Sequence, residues 1–261
     1  MDLGLADRVV LVTGASKGIG LACAAAFLAE RAKVVLVSRS AANLEAARRR
    51  LPASTHAPLT IAADMVDASA SRAAIDEAEA KLGPVDILVN SAGAARRYAP
   101  AELEASSWHA AMDAKFFSYI HPTDIVIRRM VQRGRGAIIN IIGIGGKVAS
   151  PVHLPGGAAN AALMLVTAGL AAAYAGKGVR VNGINPGATL TDRVSEGLEA
   201  ESRMTGMRVD ELRAQTEARI PAGRMGTPEE IAQVALFLAS DRSSYVNGAI
   251  VPMDGASNPV L

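Results

Sequence analysis

Short runs of branched aliphatic residues alternate with stretches of helical periodicity along all 261 residues. Residues 8–13 (RVVLVT), 33–38 (KVVLVS), 59–63, 85–90 (VDILVN), 137–142 (AIINII), 179–184 and 249–253 are short, apolar and mostly β-branched, which predicts strands. Between them, residues 18–30, 41–51, 68–82, 103–133, 157–176 and 228–239 read as helices. The last opens with Thr227-Pro228-Glu229-Glu230, an N-cap followed by proline at the first helical position. Strands that are apolar throughout, rather than alternating, predict a parallel sheet covered on both faces. The expected architecture is α/β: a doubly wound parallel sheet of about seven strands in one domain spanning 1–261. A polar, Arg- and Glu-rich region at 192–222 predicts a helical flap.

Composition narrows the function. Half the residues are hydrophobic but only 3% are aromatic, while 52 are alanine and 24 glycine. Such a chain buries enough apolar surface to fold. It lacks the aromatic platforms on which single-stranded nucleic acid stacks. The net charge of +2 comes from 27 basic and 25 acidic side chains, a balance that gives no nucleic-acid footprint. Arg48-Arg49-Arg50 closes a helical pattern and reads as a solvated C-terminal end. Cys23 is the single cysteine, and His56, His109, His121 and His153 are scattered, so neither a disulfide framework nor a metal site is expected. The acidic N-terminus predicts no secretory signal and a cytoplasmic protein. Residues 148–176 carry no Asp, Glu, Lys or Arg and could span a bilayer by length, but Pro151, Pro155, Gly156, Gly157 and Asn160 favour a buried helix.

After the first strand stands Thr13-Gly14-Ala15-Ser16-Lys17-Gly18-Ile19-Gly20. Glycines between a strand and a helix let backbone N–H groups approach a pyrophosphate, aided by the positive helix N-terminus. At the end of the second strand an acidic residue would bind an adenosine ribose hydroxyl, but Ser38 and Arg39 stand there. An arginine there, with Lys17 in the loop, suits a 2′-phosphate, so NADP(H) is expected over NAD(H).

From these residues the chain resembles the short-chain dehydrogenase/reductase (SDR) family over essentially its whole length. The loop at 13–20 looks like the family's cofactor loop. Asp64 and Met65 follow the third strand, where the family contacts adenine. Asn90-Ser91-Ala92-Gly93 resembles the family's segment after the fourth strand. Asn185-Pro186-Gly187 with Thr189 and Thr191 resembles the segment that holds the nicotinamide carboxamide. The resemblance implies a Rossmann-type fold and cofactor contacts from Gly14, Ser16, Lys17, Gly18, Ile19, Gly20, Ser38, Arg39, Asp64, Met65, Asn90, Ala92, Gly93, Pro186, Gly187, Thr189 and Thr191.

The family's catalytic set is Asn, Ser, Tyr and Lys, with the Tyr as general acid/base and the Lys four residues later. No tyrosine here has a lysine four residues after it. By neighbouring residues, Gly156 takes the Tyr position, Asn160 the Lys position, Gly143 the Ser position and Lys115 the Asn position. Lys and Asn thus look exchanged, and both hydroxyl donors are glycine, which is expected to open volume beside the nicotinamide. Either Lys115 reaches into the emptied site and bonds to Asn160 or the cofactor ribose, or it extends outward to solvent. Replacement donors include His153, Lys147 and Ser150, with His153 best placed.

Three functions follow. One is an NADP(H)-dependent oxidoreductase on a C=O/CH–OH pair with an atypical site. Another is a non-catalytic NADP(H)-binding subunit or sensor. A third is a non-redox enzyme using Lys115. Arg193, Arg203, Met204 and Met207 of the flap predict a partly apolar small-molecule ligand. Small-residue helices at 103–133 and 157–176 predict a homodimer or homotetramer.

Overall fold

The computed structural model describes residues 2–93 and 96–259. Seven strands form one parallel sheet: β1 (Val9–Thr13), β2 (Lys33–Ser38), β3 (Leu59–Ala62), β4 (Ile87–Asn90), β5 (Gly136–Ile141), β6 (Val179–Pro186) and β7 (Ile250–Met253). Their order is β3-β2-β1-β4-β5-β6-β7. The helices are α1 (Gly18–Ala29), α2 (Ala41–Arg50), α3 (Ala68–Leu82), α4 (Ala105–Ala111), α5 (Ser118–Arg133), α6 (Leu154–Tyr174), α7 (Asp192–Thr205), α8 (Val209–Ala218) and α9 (Pro228–Ala239).

The period-two geometry of a strand sends successive side chains to opposite faces. Val10 and Val12 of β1 therefore join Val34, Leu36, Val89 and Ile139 beneath α1, α2 and α9. Val9 and Leu11 join Val35, Val37, Leu88 and Ile138 against α3, α5 and α6. Both faces are dry, which is why the strands read as continuous apolar runs. Each fully buried Val, Leu or Ile contributes about 1.5–3 kcal/mol.

The strand order reverses between β1 and β4, and a crevice opens there at the strands' carboxyl ends. Thr13 Oγ1 accepts from the Ser91 and Ala92 N–H groups at 3.1 and 3.2 Å, joining the loops on either side. A second set of buried polar groups crosses the sheet. Asn90 Nδ2 donates to Thr123 Oγ1 (3.0 Å) and Asn140 Oδ1 (2.9 Å), and Asn140 Nδ2 donates to Thr167 Oγ1 (2.9 Å). This chain ties α5, β4, β5 and α6 together.

Two departures from the expected elements bear on the site. The helix expected at 103–133 is interrupted by a π-helical segment, Met112–Phe117, just before Pro122, which has no N–H to donate. Helix α6 begins at Leu154, three residues before the expected start, with Pro155 in its first turn. Gly156 and Asn160, four residues apart on α6, are both buried.

Candidate active site

A cavity of about 910 Å³ lies along the crevice. Its first half is backbone. Gly14 has a φ of +65°, and a Cβ there would stand 2.6 Å from the Ser91 carbonyl oxygen, so only glycine permits this approach. Helix α1 starts behind the loop with no acidic residue in its first turn, leaving its N-terminus favourable to an anion. Helix α2 does the same beside Arg39: Ser40 accepts from the Asn43 N–H at 3.2 Å, and the first turn carries no acid.

Of the cofactor residues expected from sequence, Gly14, Ser16, Lys17, Gly18, Ile19, Gly20, Ser38, Arg39, Asp64, Met65, Ala92, Gly93, Pro186 and Thr191 line this cavity. Asn90, Gly187 and Thr189 do not. The Asn90 side chain is turned into the cross-sheet chain, Gly187 N–H is bonded to the Met253 carbonyl, and Thr189 Oγ1 donates to the Gly187 carbonyl. Sequence reasoning missed Ser40 and Asn43, which line the cavity next to Arg39. The Ser cap before a helix was the available signal. Among the described residues of the flap, only Asp192, with Thr191 preceding it, reaches the cavity. Arg203 and Met207 are not in its wall, and the Arg193 and Met204 side chains lie outside the described residues. Helices α7 and α8 instead close over a small core of their own, Leu198, Leu212, Ile220 and Met225.

The second half is side chain. Lys115, within the π-helical segment, is only 8% exposed and lines the cavity beside Ile141, Ile142 and Gly143. It does not extend outward. Its Nζ donates to Tyr119 Oη at 2.7 Å and to the Ile141 carbonyl at 2.9 Å. Asn160 Oδ1 is buried with no hydrogen-bond partner, so the expected Lys115–Asn160 bond is not formed. Gly143 has a φ of +119°, and a Cβ there would meet Asn160 Nδ2 at 3.3 Å. The backbone, and not only the side chain, differs from what a serine would adopt.

Gly156 is buried and is not part of the cavity wall, so of the two glycines only Gly143 contributes to the expected opening. A Cβ at Gly145 would lie 3.2 Å from His153 Cδ2 and 3.5 Å from Asn160 Nδ2, so ring and amide share the space above that glycine. Burial, then the Arg97 and Lys115 charges, hold His153 below its ordinary value. It therefore favours the neutral form at pH 7, which is a poor starting point for donating a proton.

The geometry sets a glycine loop and a buried lysine in one cavity at the switch point of a parallel sheet. A family described as Enoyl-(Acyl carrier protein) reductase matches residues 14–257.

The chain is a short-chain dehydrogenase/reductase.

This SDR is 40% identical over 246 residues to galactitol 2-dehydrogenase (L-tagatose-forming) of Cereibacter sphaeroides, covering 94% of this chain and 92% of that protein. It is 36% identical to D-threitol dehydrogenase of Mycolicibacterium smegmatis, covering 97% and 94%. L-sorbose reductase from Gluconobacter frateurii, solved with NADPH and L-sorbose, superposes with a TM-score of 0.94 at 29% identity, covering 100% of both chains. The SDR fold of the solved relative and the sheet described above are the same architecture.

Proposed function

We propose that this SDR binds NADP(H) and interconverts a C=O and a CH–OH group on a small polyhydroxylated substrate. The observation that carries the reading is the continuity of the cavity, which runs from Lys17 and Arg39 at one end to Lys115 and Gly143 at the other. The residues fit a dinucleotide phosphate: the Gly14 approach leaves backbone where a Cβ would otherwise stand, and the α1 N-terminus faces it. Lys17, Ser38, Arg39 and the α2 N-terminus at Ser40 and Asn43 hold a 2′-phosphate, which favours NADP(H) over NAD(H). Asp64 and Met65 flank adenine, while Ala92, Gly93, Pro186 and Thr191 line the path toward the nicotinamide. The cofactor supplies hydride when bound.

The chain's own residues orient the carbonyl and provide for its oxygen. Lys115 meets that oxygen from the cavity wall. Asn160 stands behind Gly143, buried and outside the cavity wall, so it does not touch the substrate there. His153, kept neutral, serves better as an acceptor than as the acid. The named activities of the relatives, on galactitol, D-threitol and L-sorbose, support a polyol or ketose as substrate.

A second reading is a non-catalytic NADP(H)-binding subunit. The buried Gly156, which brings no hydroxyl to the site, favours it. Nicotinamide absorbance with NADPH and a panel of ketoses and hydroxyketones separates the two. Oxidation supports the enzyme; tight NADPH binding with no oxidation across the panel supports the subunit. Covalent capture of a carbonyl by Lys115 without NADPH oxidation supports the non-redox alternative.

The proposal includes a homodimer or homotetramer in the cytoplasm. Residues 151–177, which contain α6, are long and apolar enough to cross a membrane, yet α6 packs on β6. Only 28% of its most apolar window is buried and Leu165 is 76% exposed, which supports a second copy against that face. A monomer mass in solution contradicts it. Cys23 is buried, its thiol pushed up to about 12 by burial, so it is inert in any compartment.

A further inference from the structure

We infer that Lys115 and Tyr119 work as one unit, an inverted pair in which lysine precedes tyrosine by four residues. Lys115 binds the reacting oxygen and Tyr119 positions Lys115. The inference rests on the redox reading above.

Three hydrogen bonds close a triangle around one atom. Lys115 Nζ donates to Tyr119 Oη (2.7 Å) and to the Ile141 carbonyl (2.9 Å), and Tyr119 Oη donates to the same carbonyl (2.6 Å). The directions are forced. A hydroxyl has one proton, and Tyr119 gives it to Ile141, so its lone pair faces Lys115. The Ile141 carbonyl has two lone pairs, and each takes one of these donors. The ammonium also sits 4.4 Å from the centroid of the Tyr119 ring.

Burial divides the roles. Tyr119 is 1% exposed, packed with Ile142 and Leu163, and is not part of the cavity wall. It cannot touch a substrate there. Lys115 does line the cavity. A lysine left to itself loses rotamer freedom when it is fixed. Tyr119 and the end of β5 have fixed it before any substrate arrives. Ile141 is two residues before Gly143, so the anchor of the lysine and the missing hydroxyl position are on the same short stretch of backbone.

In reduction, a bound NADPH would supply the hydride for the new C–H bond at the carbonyl carbon, with the C=O π pair moving to oxygen. The Lys115 ammonium gives that oxygen a proton, leaving an amine, an alcohol and NADP⁺. Water returns the proton to the amine. Tyr119 keeps its own proton on Ile141 throughout.

The test uses Tyr119→Phe, which keeps the ring and removes the hydroxyl, with Lys115→Met and the double variant. All are assayed with NADPH and the best ketose of the panel. Tyr119→Phe is expected to lower kcat about 10-fold, the scale of one hydrogen bond to a charged group, with KM changed much less. Lys115→Met is expected to lower kcat by about 10²–10⁴-fold, as for loss of a general acid. The double variant should be no slower than Lys115→Met, because Tyr119 acts only through Lys115. A second readout needs no turnover: acetic anhydride labelling with peptide mapping should modify Lys115 several-fold faster in Tyr119→Phe, with Lys17 and Lys147 unchanged.

Additive losses in the double variant, or unchanged kcat and labelling in Tyr119→Phe, overturn the pairing. Should Tyr119→Phe fold poorly, Lys115→Met alone decides: full kcat in that variant overturns the inference. A wild-type protein that binds NADPH but oxidises none across the panel removes the redox reading, and the inference with it.

Discussion

At the β1–β4 end of the cavity the binding groups are mostly backbone: the loop at 13–20, the N-termini of α1 and α2, and the segment after β4. At the β5 end the wall is Lys115, Ile141, Ile142 and Gly143, and Lys115 and Gly143, with Gly156 and Asn160 buried behind them, depart from the pattern that the family resemblance implies. On the proposed function, the contrast separates binding from chemistry. Backbone geometry at the first end is dictated by strand and helix positions, so it persists with the fold. The side chains at the second end are free to change without disturbing the sheet.

The sharpest way to break that comparison is to attack the backbone end. Gly14→Val places side-chain atoms against the Ser91 carbonyl from a φ of +65°. NADPH affinity should fall by about 10²-fold or more, near 2.7 kcal/mol, in a fluorescence titration. Unchanged affinity would mean the loop does not work by close backbone approach. Next in size is Arg39→Ala. Loss of a charge-assisted bond of about 1.5–3 kcal/mol should weaken NADPH by about 10–100-fold and leave NADH unaltered. Equal losses for both would remove Arg39 from the 2′-phosphate.

At the side-chain end, substitutions that put back the family's residues give smaller effects. Gly143→Ser, alone or with Gly156→Tyr, Asn160→Lys and Lys115→Asn, should not recover ordinary carbonyl reduction. The positive φ at residue 143 disfavours any Cβ by about 1–2 kcal/mol, which denaturant unfolding should detect. A stable, active four-residue variant would show that side chains alone distinguish this site. The smallest effect is a pH dependence. His153 is held below its ordinary value of 6.5 by burial and then by Arg97 and Lys115. The unfolded chain therefore takes up the proton first as pH falls. Stability from this source is complete above the ordinary value and declines as pH drops through it. Melting temperatures from about pH 7.5 to about pH 5 should fall less steeply for His153→Asn than for the wild type.

The fold was legible because its strands are unbroken runs of Val, Ile and Leu, and period and length together leave few alternatives. Most of the residues that line the crevice were legible for the same reason, since glycine between a strand and a helix has a physical meaning. The start of α6 at Leu154 had a signal in Pro155, which suits a first helical turn. The π-helical segment had one available sequence signal, Pro122, which has no N–H to give the turn before it. The Lys115–Tyr119 pair was hidden by a search for lysine after tyrosine; spacing on a helix works equally in reverse. The conformation of Gly143 cannot be read from its identity, as glycine is compatible with either sign of φ.

The amide and hydroxyl chain from Thr123 through Asn90 and Asn140 to Thr167 acts as an internal gauge block. It contains none of the altered positions, yet it sets the spacing between the strand that ends in the cofactor segment and the helix that carries Gly156 and Asn160. A designer could rewrite the side chains of the cavity on this frame many times over and still find its two halves held at one unvarying separation.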